Sequence, residues 1–318
     1  MSLDRIRLAS LHDKVMSAEQ AAQFIKDGMT VGMSGFTRAG EAKAVPLALI
    51  KQAEENPLKI TLITGASLGN DLDKKLTEAG VLARRLPFQV DNTLRKAINK
   101  GEVMFIDQHL SETVEQMRNQ QLKKPDVAVI EAVAITEDGG IIPTTSVGNS
   151  ASFAIFAKEV IVEINTNLSP AFEGLHDIYI PSYRPTRQPI PLTQIDERIG
   201  TQAIQIDPAK IVGIVFNNEL HDSPSTVTAP DDETQSIANH LIAFFEKEVE
   251  TGRLPSNLGP LQAGIGSIAN AILTGLKDSN FEDLIMYSEV LQDCTFELID
   301  AGKMKFASGS SITLSAKN

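Results

Sequence analysis

Short apolar runs alternate with helical stretches along the first half of the chain, and the runs end in loops of small residues. Met29–Met33 predicts a strand that leads into the glycine-containing loop 34–40, and the helix Val45–Glu54 follows. Ile60–Ile63 predicts the next strand, which ends at a second loop of small residues, 64–69. This β-α-β alternation predicts a parallel sheet and therefore an α/β fold.

Further strands of the first half are short and rich in Val and Ile, as strands covered on both faces require. They are predicted at Val103–Ile106, Val127–Ala134, Val160–Ile164 and Ile211–Phe216. Glu131 lies inside the second of these runs, where a hydrogen-bonded buried carboxylate is the favoured interpretation and a functional carboxylate with a perturbed pKa is the alternative. The stretch 136–151 is rich in turn-forming residues and predicts a long loop.

A domain boundary is predicted where Ser, Pro, Thr and Asp cluster, between residues 217 and 232. An amphipathic helix, Thr234–Val249, follows this cluster. A chain of 318 residues is long enough for two ordinary domains. We therefore expect an N-terminal domain over residues 1–225 and a second domain over residues 226–318.

The acidic composition limits the classes of partner. The net charge is −12 and the pI is near 5.0, whereas binding to nucleic acid or to an anionic membrane requires a basic face. No apolar run reaches the length of a membrane helix, and residues 1–22 contain charges throughout without the apolar stretch of a signal peptide. We expect a cytoplasmic protein that binds neither nucleic acid nor membrane.

The single cysteine and the histidines give little sign of metal or thiol chemistry. Cys294 fits a reducing compartment and, because no histidine is near it in sequence, is expected to fill a position in the core or on the surface rather than to act as a nucleophile. The five histidines show none of the spacings expected of zinc ligands. No metal is predicted.

The stretch 264–292 has the features of a functional site. It runs from a glycine turn at Gly264 and Gly266 into an apolar-periodic helix, then into a short strand that ends at Glu289. The glycines allow a tight turn whose N–H groups face a ligand, and the helix adds the positive end of its dipole.

Two chemistries fit this stretch. In the first, G-I-G-S-I-A is a dinucleotide-binding fingerprint and Glu289 binds a ribose hydroxyl, although Gly259 and Pro260 then occupy a strand that should be rich in Val and Ile. In the second, Glu289 is a nucleophile that attacks an activated acyl group, and the turn donates hydrogen bonds to the developing oxyanion.

Longer segments resemble a known family. The sequence LPSNLGPLQAGIGSIANAILTGL, followed by YSEVLQD and ASGSSITLS, is similar to the acetyl-CoA hydrolase/transferase family, the class I CoA-transferases acting on succinyl-CoA and acetate. The resemblance continues upstream in VGMSGFTRAGEAKAVP, LITGASLG, AITEDGGIIPTTSVGNSASF and GLHDIYIP. It therefore covers nearly the whole chain and implies two open, largely parallel-sheet domains of the CoA-transferase type.

The resemblance assigns roles to particular residues. It implies that Glu289 is the catalytic nucleophile and that the backbone N–H of Ile265, within the turn Gly264–Gly266, is an oxyanion donor. It also places contacts to CoA or to a small carboxylate in the loops that follow the first strands. The residues expected to make those contacts are Ser34, Thr37 and Ser67.

The function implied by the resemblance is transfer of CoA between an acyl-CoA, succinyl-CoA or acetyl-CoA, and a small carboxylate such as acetate. CoA is then a substrate, no tightly bound cofactor is expected, and the implied assembly is a homodimer. Hydrolysis of acetyl-CoA by the same glutamate is the first alternative. A dinucleotide-binding protein or a non-catalytic CoA-binding subunit is an alternative of a different class.

Members of the family continue well past residue 318. The resemblance therefore implies that the second domain is incomplete and that a further glycine-rich loop, with another oxyanion donor, lies in the missing part. Loss of one such donor typically lowers the rate by ~10²- to 10³-fold. On this basis the chain alone is expected to have little or no transferase activity.

Overall fold

The computed structural model describes residues 3–218, 220–225 and 230–317, and it divides the chain into two compact units. The first unit comprises Met1–Ile190 and Ile199–Ser223, and the second comprises Pro191–Arg198 and Pro224–Asn318. The sequence-predicted boundary after residue 225 falls at residues 226–229, which lie outside the described residues.

The first unit is built around one sheet. Its strands, in chain order, are β1 (Thr30–Met33), β2 (Ile60–Thr64), β3 (Leu82–Leu86), β4 (Met104–Phe105), β5 (Val127–Ile135), β6 (Ile141–Pro143), β7 (Glu159–Asn165) and β8 (Ile211–Asn217). Its α-helices are α1 (Ala18–Ala22), α2 (Ala44–Glu55), α3 (Leu72–Glu78), α4 (Asn92–Asn99), α5 (Leu110–Arg118) and α6 (Ser150–Phe156). Short 3₁₀ helices lie at Leu3–Arg5, Ala9–Lys14, Pro170–Phe172 and Pro208–Lys210.

The sheet is parallel except at one strand. Its order is β4-β3-β2-β1-β5-β7-β8, and β6 pairs antiparallel with β5. All nine residues of β5 are buried, because helices cover both faces of the sheet. Alternate residues of β5 enter two different cores: Val127 and Val129 pack on the side of α2 and α3, whereas Ala128 and Ile130 pack on the side of α5 and α6. The predicted α/β fold with a parallel sheet is confirmed.

Two sequence interpretations need correction. The stretch 136–151 is not a continuous loop, because Ile141–Pro143 pairs with β5 and Ser150 begins α6. The strand β3 was not predicted at all, since Arg84 and Arg85 interrupt its apolar pattern. Arg85 is fully buried, and its Nε donates to Asp73 Oδ1 at 2.8 Å. A pattern of apolar residues does not predict a strand at an arginine that is buried because its charge is paired in the fold.

The second unit contains a smaller parallel sheet of order β12-β10-β9. Its strands are β9 (Pro260–Leu261), β10 (Leu284–Tyr287), β11 (Val290–Leu291), β12 (Met304–Ser308) and β13 (Ser311–Ile312), and its helices are α7 (Asp232–Glu250), α8 (Ser267–Lys277) and α9 (Asp293–Asp300). The separate pair β11 and β13 is also parallel. A core that includes Leu276, Leu284 and Leu298 joins the helices to the sheet.

Among the described residues, no helix combines the length and the apolar composition that a membrane span requires.

The close packing of α6 on β1 gives a stability prediction. An alanine Cβ at Gly32 would lie 2.9 Å from both Cβ and Cγ of Phe153 and 3.1 Å from Cγ of Pro125. Because atoms this near the helix backbone cannot simply rotate away, we expect Gly32→Ala to lower the free energy of unfolding by about 1–3 kcal/mol. Denaturant titration followed by circular dichroism measures the change.

The matched control is Gly264→Ala, because a Cβ there meets no atom within 4 Å. We expect the control to change the free energy of unfolding by less than about 0.5 kcal/mol. Equal stability of the Gly32→Ala variant and the wild type would contradict the packing described for β1 and α6.

Candidate active site

Glu289 follows β10 after one intervening residue, Ser288, and its side chain is exposed. Its backbone is nevertheless fixed, because the carbonyl oxygen of Glu289 accepts hydrogen bonds from the N–H groups of Ser310 at 2.8 Å and Ser311 at 3.3 Å. The N–H of Ser288 donates to Ser308 O at 2.8 Å. The loop between β12 and β13 therefore holds the backbone that carries this carboxylate.

The glycine turn lies between β9 and α8. Gly266 has φ = +142°, a conformation that favours glycine. A Cβ at Gly264 or Gly266 would meet no atom within 4 Å, so the space beside the turn is open. Ile265 between them is 64% exposed. The turn thus presents its backbone to open space at the positive end of the α8 dipole.

The parallel pairing of β9 with β10 brings the turn and Glu289 to the same edge of the sheet. Pro260 pairs with Ile285 and Leu261 pairs with Met286. Continuing this register places Ser288 beside Ala263, and the Ser288 hydroxyl donates to Ala263 O at 3.0 Å. The next residues along the two segments are Glu289 and Gly264. The sequence-predicted nucleophile and glycine turn are therefore neighbours in the second unit.

An apolar cavity of about 540 Å³ adjoins the turn. Its lining comes from the turn itself, from β9, and from the facing sides of α7 and α8, and it includes Leu241, Phe245, Leu261, Ile265, Ile268 and Ile272. Such a lining can accommodate an uncharged, flexible portion of a ligand whose reactive end reaches the turn.

The other three sequence-predicted contact residues belong to the first unit. Ser34 is buried, and its hydroxyl accepts a hydrogen bond from the N–H of Glu131 at 2.9 Å, so it joins the end of β1 to β5. Ser67 is also buried, and its carbonyl oxygen accepts from Arg38 N at 3.1 Å. Thr37 is half-buried in a tight turn, where its hydroxyl donates to Phe36 O at 2.8 Å. The contacts of these residues to a ligand stay a prediction.

A buried group of charged side chains lies beside Ser34, and of its members only Glu131 was singled out by the sequence pattern. Lys43 Nζ is 2.6 Å from Glu131 Oε1, 2.8 Å from Asp222 Oδ1 and 2.7 Å from Glu41 O. The other oxygen of Glu131 accepts from Thr144 Oγ1 at 2.6 Å, and Asn165 Nδ2 donates to Oε1 at 3.0 Å. We call Lys43, Glu41, Glu131 and Asp222 the lysine cluster. The favoured interpretation of Glu131, a hydrogen-bonded buried carboxylate, is confirmed.

The lysine cluster contains three carboxylates for one ammonium group. Burial raises the pKa of both Glu41 and Glu131 above the ordinary glutamate value. Both oxygens of Glu131 accept hydrogen bonds, which favours its ionised form. Glu41 differs, because Asn70 Nδ2 donates to its Oε1 at 2.8 Å whereas Oε2 is buried with no hydrogen-bond partner among the described residues. Burial raises the pKa of both carboxyl groups, so the hydrogen bonds decide between them, and on that basis we assign one proton to Glu41.

Glu163 caps the start of α2. Its carboxylate accepts hydrogen bonds from the N–H groups of Lys43, Ala44 and Val45, at 2.8, 2.9 and 3.0 Å. These are N–H groups that a helix leaves without intrahelical partners. A carboxylate on β7 thus fixes the segment that carries Lys43.

Cys294 is buried, and burial raises the pKa of its thiol to about 11. The thiol is therefore protonated at neutral pH, as expected for a packing residue rather than a nucleophile. Within the ranges that the structure describes, no group of three or more His, Cys, Asp and Glu side chains is arranged to hold a metal ion.

Solved structures of other proteins share this fold. Solved structures with the same fold include RipA from Yersinia pestis, with a TM-score of 0.67 at 18% sequence identity, covering 96% of this chain and 69% of that one. A 4-hydroxybutyrate CoA-transferase from Porphyromonas gingivalis matches with a TM-score of 0.61 at 18% identity, covering 97% and 65% of the two chains. The fold is thus that of CoA-transferase-like proteins.

Residues 2–216 match the model of the acetyl-CoA hydrolase/transferase N-terminal domain, and the chain belongs to this family. A succinyl-CoA:acetate CoA-transferase of Clostridium kluyveri is 45% identical over 311 residues, which cover 97% of this chain and 58% of the relative. An acetyl-CoA hydrolase of Kluyveromyces lactis is 44% identical over 322 residues, covering 98% and 61%. The chain therefore spans about three fifths of the length of these curated relatives.

The lysine cluster predicts a pH-dependent stability. Burial raises the pKa of Glu41 from 4.5 to about 7, so the folded protein holds a proton that the unfolded chain releases between these values. The contribution of Glu41 to the free energy of unfolding therefore falls as the pH rises from 4.5 to 7. Glu41→Gln keeps an acceptor for Asn70 and removes the titration, so we expect the variant to become more stable than the wild type as the pH rises through this window.

Urea titrations from pH 5 to pH 8 measure this difference. The matched control is Glu54→Gln on the exposed side of α2, for which we expect the same pH dependence as in the wild type. A second variant, Glu131→Gln, should be less stable than the wild type at pH 7, because it removes a charge that neutralises Lys43. Identical pH dependence of wild type and Glu41→Gln would contradict the assignment of the proton to Glu41.

The Ser288 hydroxyl gives a separate prediction about the glycine turn. Ser288→Ala removes the hydrogen bond to Ala263 O, which should lower the free energy of unfolding by about 0.5–1.5 kcal/mol. It should also increase amide exchange at residues 263–266, while residues of β12 stay protected. Hydrogen-exchange mass spectrometry measures both, and unchanged exchange at the turn would contradict the role given to Ser288.

Proposed function

We propose that this protein transfers CoA between an acyl-CoA, succinyl-CoA or acetyl-CoA, and a small carboxylate such as acetate, with Glu289 as the nucleophile. The observation that carries the proposal is the position of Glu289 beside the turn Gly264–Gly266. A carboxylate and an N–H-presenting turn at one sheet edge supply the attacking group and the oxyanion donors of an acyl transfer. The names of the two relatives support CoA and acyl-CoA as substrates.

The proposed reaction starts with attack of a Glu289 carboxylate oxygen on the thioester carbonyl carbon. The C–S bond breaks, CoA leaves as a thiolate, and an acyl-glutamyl anhydride remains. The thiolate then attacks the glutamyl carbonyl carbon, which releases the first carboxylate and forms a glutamyl-CoA thioester. The acceptor carboxylate attacks that thioester, and the same steps run in reverse to give the new acyl-CoA and free Glu289.

The surroundings of Glu289 support these reaction steps. A carboxylate is a weak nucleophile, so the N–H groups at Ile265 and Gly266 must stabilise the oxyanion, and the α8 dipole adds to their effect. The apolar cavity beside the turn suits the uncharged pantetheine portion of CoA. Because the reaction exchanges one carboxylate for another at a thioester, it needs neither a metal nor an oxidant.

Hydrolysis of acetyl-CoA is the second candidate. The exposure of the Glu289 side chain favours it, since water that reaches the anhydride converts a transferase cycle into hydrolysis. The relative from Kluyveromyces lactis bears the corresponding name. A homodimer, implied by the resemblance, and a cytoplasmic location, expected from the sequence composition and segments, stay predictions.

The decisive experiment traps the covalent intermediate. We expect that incubation of an active full-length form of the protein with succinyl-CoA, followed by hydroxylamine or borohydride, modifies Glu289, as read by peptide mass spectrometry. Glu289→Gln should give no adduct and should lower any turnover by ~10³-fold or more. The matched control, Glu282→Gln, changes another exposed carboxylate before β10 and should behave as the wild type.

The competing interpretations predict different results. Saturable binding of NAD without an adduct would overturn the proposal in favour of a dinucleotide-binding protein. A chain that binds CoA but forms no adduct itself, while a companion chain forms one only after the two are mixed, would favour a non-catalytic subunit.

A further inference from the structure

Three arginine side chains converge on one carboxylate at the end of α5. Glu115 Oε2 lies 2.7 Å from Nη1 of Arg118 and 2.7 Å from Nη1 of Arg187. Its Oε1 lies 3.5 Å from Nε of Arg184 and accepts a hydrogen bond from Asn119 Nδ2 at 3.1 Å. We call Glu115 and these three arginines the arginine cluster, and all of its members belong to the first unit.

The arginines come from two distant parts of the chain, so the fold itself brings them together. Arg118 is the last residue of α5, and its side chain is only 3% exposed. Arg187 is 72 residues from Glu115 in sequence, and its side chain is 31% exposed. The Arg184 side chain is 68% exposed. The cluster therefore combines one buried guanidinium with two that solvent reaches.

The arginine cluster has an excess of positive charge, although the chain as a whole carries a net charge of −12. Three guanidinium groups share one carboxylate, and the negative end of the α5 dipole adds only about half an elementary charge. No other carboxylate in the described ranges forms ion pairs with three cations. Charges on the rest of the surface are largely screened beyond ~10 Å at 0.1 M ionic strength. The local excess therefore favours an anion.

The guanidinium groups also keep hydrogen-bond donors for a ligand. A guanidinium has five N–H donors, whereas Arg118 and Arg187 each donate one hydrogen bond to the described part of the chain, in both cases from Nη1 to Glu115. Arg184 makes its ion pair at 3.5 Å and donates no hydrogen bond to a described residue. Because two Nη1 atoms lie 2.7 Å from the same oxygen, they are within twice that distance of each other. The remaining donors are therefore close enough to bind one small anion.

The charge and the geometry of the arginine cluster favour a phosphate group. A phosphate monoester carries about 1.5 to 2 negative charges at pH 7, which is close to the excess positive charge of the cluster. Its oxygens accept paired N–H donors from more than one guanidinium. A monocarboxylate supplies one negative charge and two oxygens, so it would leave part of the excess uncompensated. A dicarboxylate carries its charges on separate carbon atoms, whereas the three guanidinium groups converge on one point.

We propose that the arginine cluster binds a phosphate group through Arg184 and Arg187, with the charge of the buried Arg118 adding to the attraction. The ligand is inorganic phosphate or a small molecule that carries a phosphate monoester. Glu289 and the glycine turn belong to the second unit, so the phosphate site shares no residue with the candidate active site. The inference does not depend on the proposed function.

The test titrates the full chain with inorganic phosphate in a low-salt amine buffer, followed by isothermal titration calorimetry. We expect saturable binding by the wild type, a loss of affinity of about 10-fold or more in Arg184→Gln, and a smaller loss in Arg184→Lys, which keeps the charge but not the paired donors. Arg184 is the position to change because its side chain is largely exposed, so its replacement should leave thermal unfolding unchanged.

The matched control is Arg253→Gln in the second unit. The Arg253 side chain is also exposed, at 57%, and it pairs with a glutamate, but Glu248 is its single partner and the pair has no excess charge. The control should bind phosphate as the wild type does.

A comparison with methyl phosphate distinguishes the two sources of the phosphate group. Methyl phosphate that binds as tightly as inorganic phosphate would show that the cluster accepts the phosphate monoester of a larger molecule. Methyl phosphate that binds more weakly would assign the cluster to free phosphate. Either result, with the expected loss in Arg184→Gln, supports a phosphate site.

Three results would overturn the proposal. Failure of phosphate to saturate the wild type, or unchanged affinity in Arg184→Gln, would show that the cluster only joins its segment to α5. An equal loss in Arg253→Gln would show that phosphate responds to charge in general. Acetate that binds as tightly as phosphate would reject the choice of ligand. Glu289→Gln should bind phosphate as the wild type does while losing the covalent adduct, so this proposal and the proposed function fail in separate experiments.

Discussion

One buried ammonium group organises the first unit. Lys43 contacts Glu131 on the central strand β5, Asp222 beyond β8 and the backbone of Glu41 on the loop after β1. A buried charge is tolerated only when its partners are in place, so these three segments must assume their positions together. The proton that we assign to Glu41 reduces the negative charge of the cluster. Correct formation of the loop after β1 therefore depends on Lys43.

The second unit positions its residues by strand pairing instead of charge. Parallel pairing of β9 with β10 sets Ala263 beside Ser288, and one hydroxyl joins them. Glycine is needed at position 266 for its backbone angle, while the open space beside position 264 leaves the turn accessible. The proposed nucleophile can thus remain exposed while its backbone is held. A reactive side chain on a fixed backbone suits a residue that must form and break covalent bonds in each cycle.

Features that arise from contacts between residues close in sequence could be predicted from the sequence, whereas features that arise from contacts between distant residues could not. The strand β5 and the helix α2 were found because their patterns are local, whereas β3 was missed because Arg85 is neutralised by Asp73 only in the folded state. Glu289 and the glycine turn were found because they share one βαβ unit. Lys43 gave no signal, since its partner Glu131 is 88 residues away.

The central claim is that the Glu289 carboxylate becomes covalently bonded during CoA transfer, and an isotope experiment tests it most directly. In the proposed sequence, acetate labelled with heavy oxygen attacks the glutamyl-CoA thioester, and the bridging oxygen of the resulting anhydride remains on Glu289 when acetyl-CoA leaves. In a single turnover of an active full-length form with succinyl-CoA and labelled acetate, we expect mass spectrometry to find one heavy oxygen in the peptide that contains Glu289. Formation of acetyl-CoA with no label in Glu289 would contradict it.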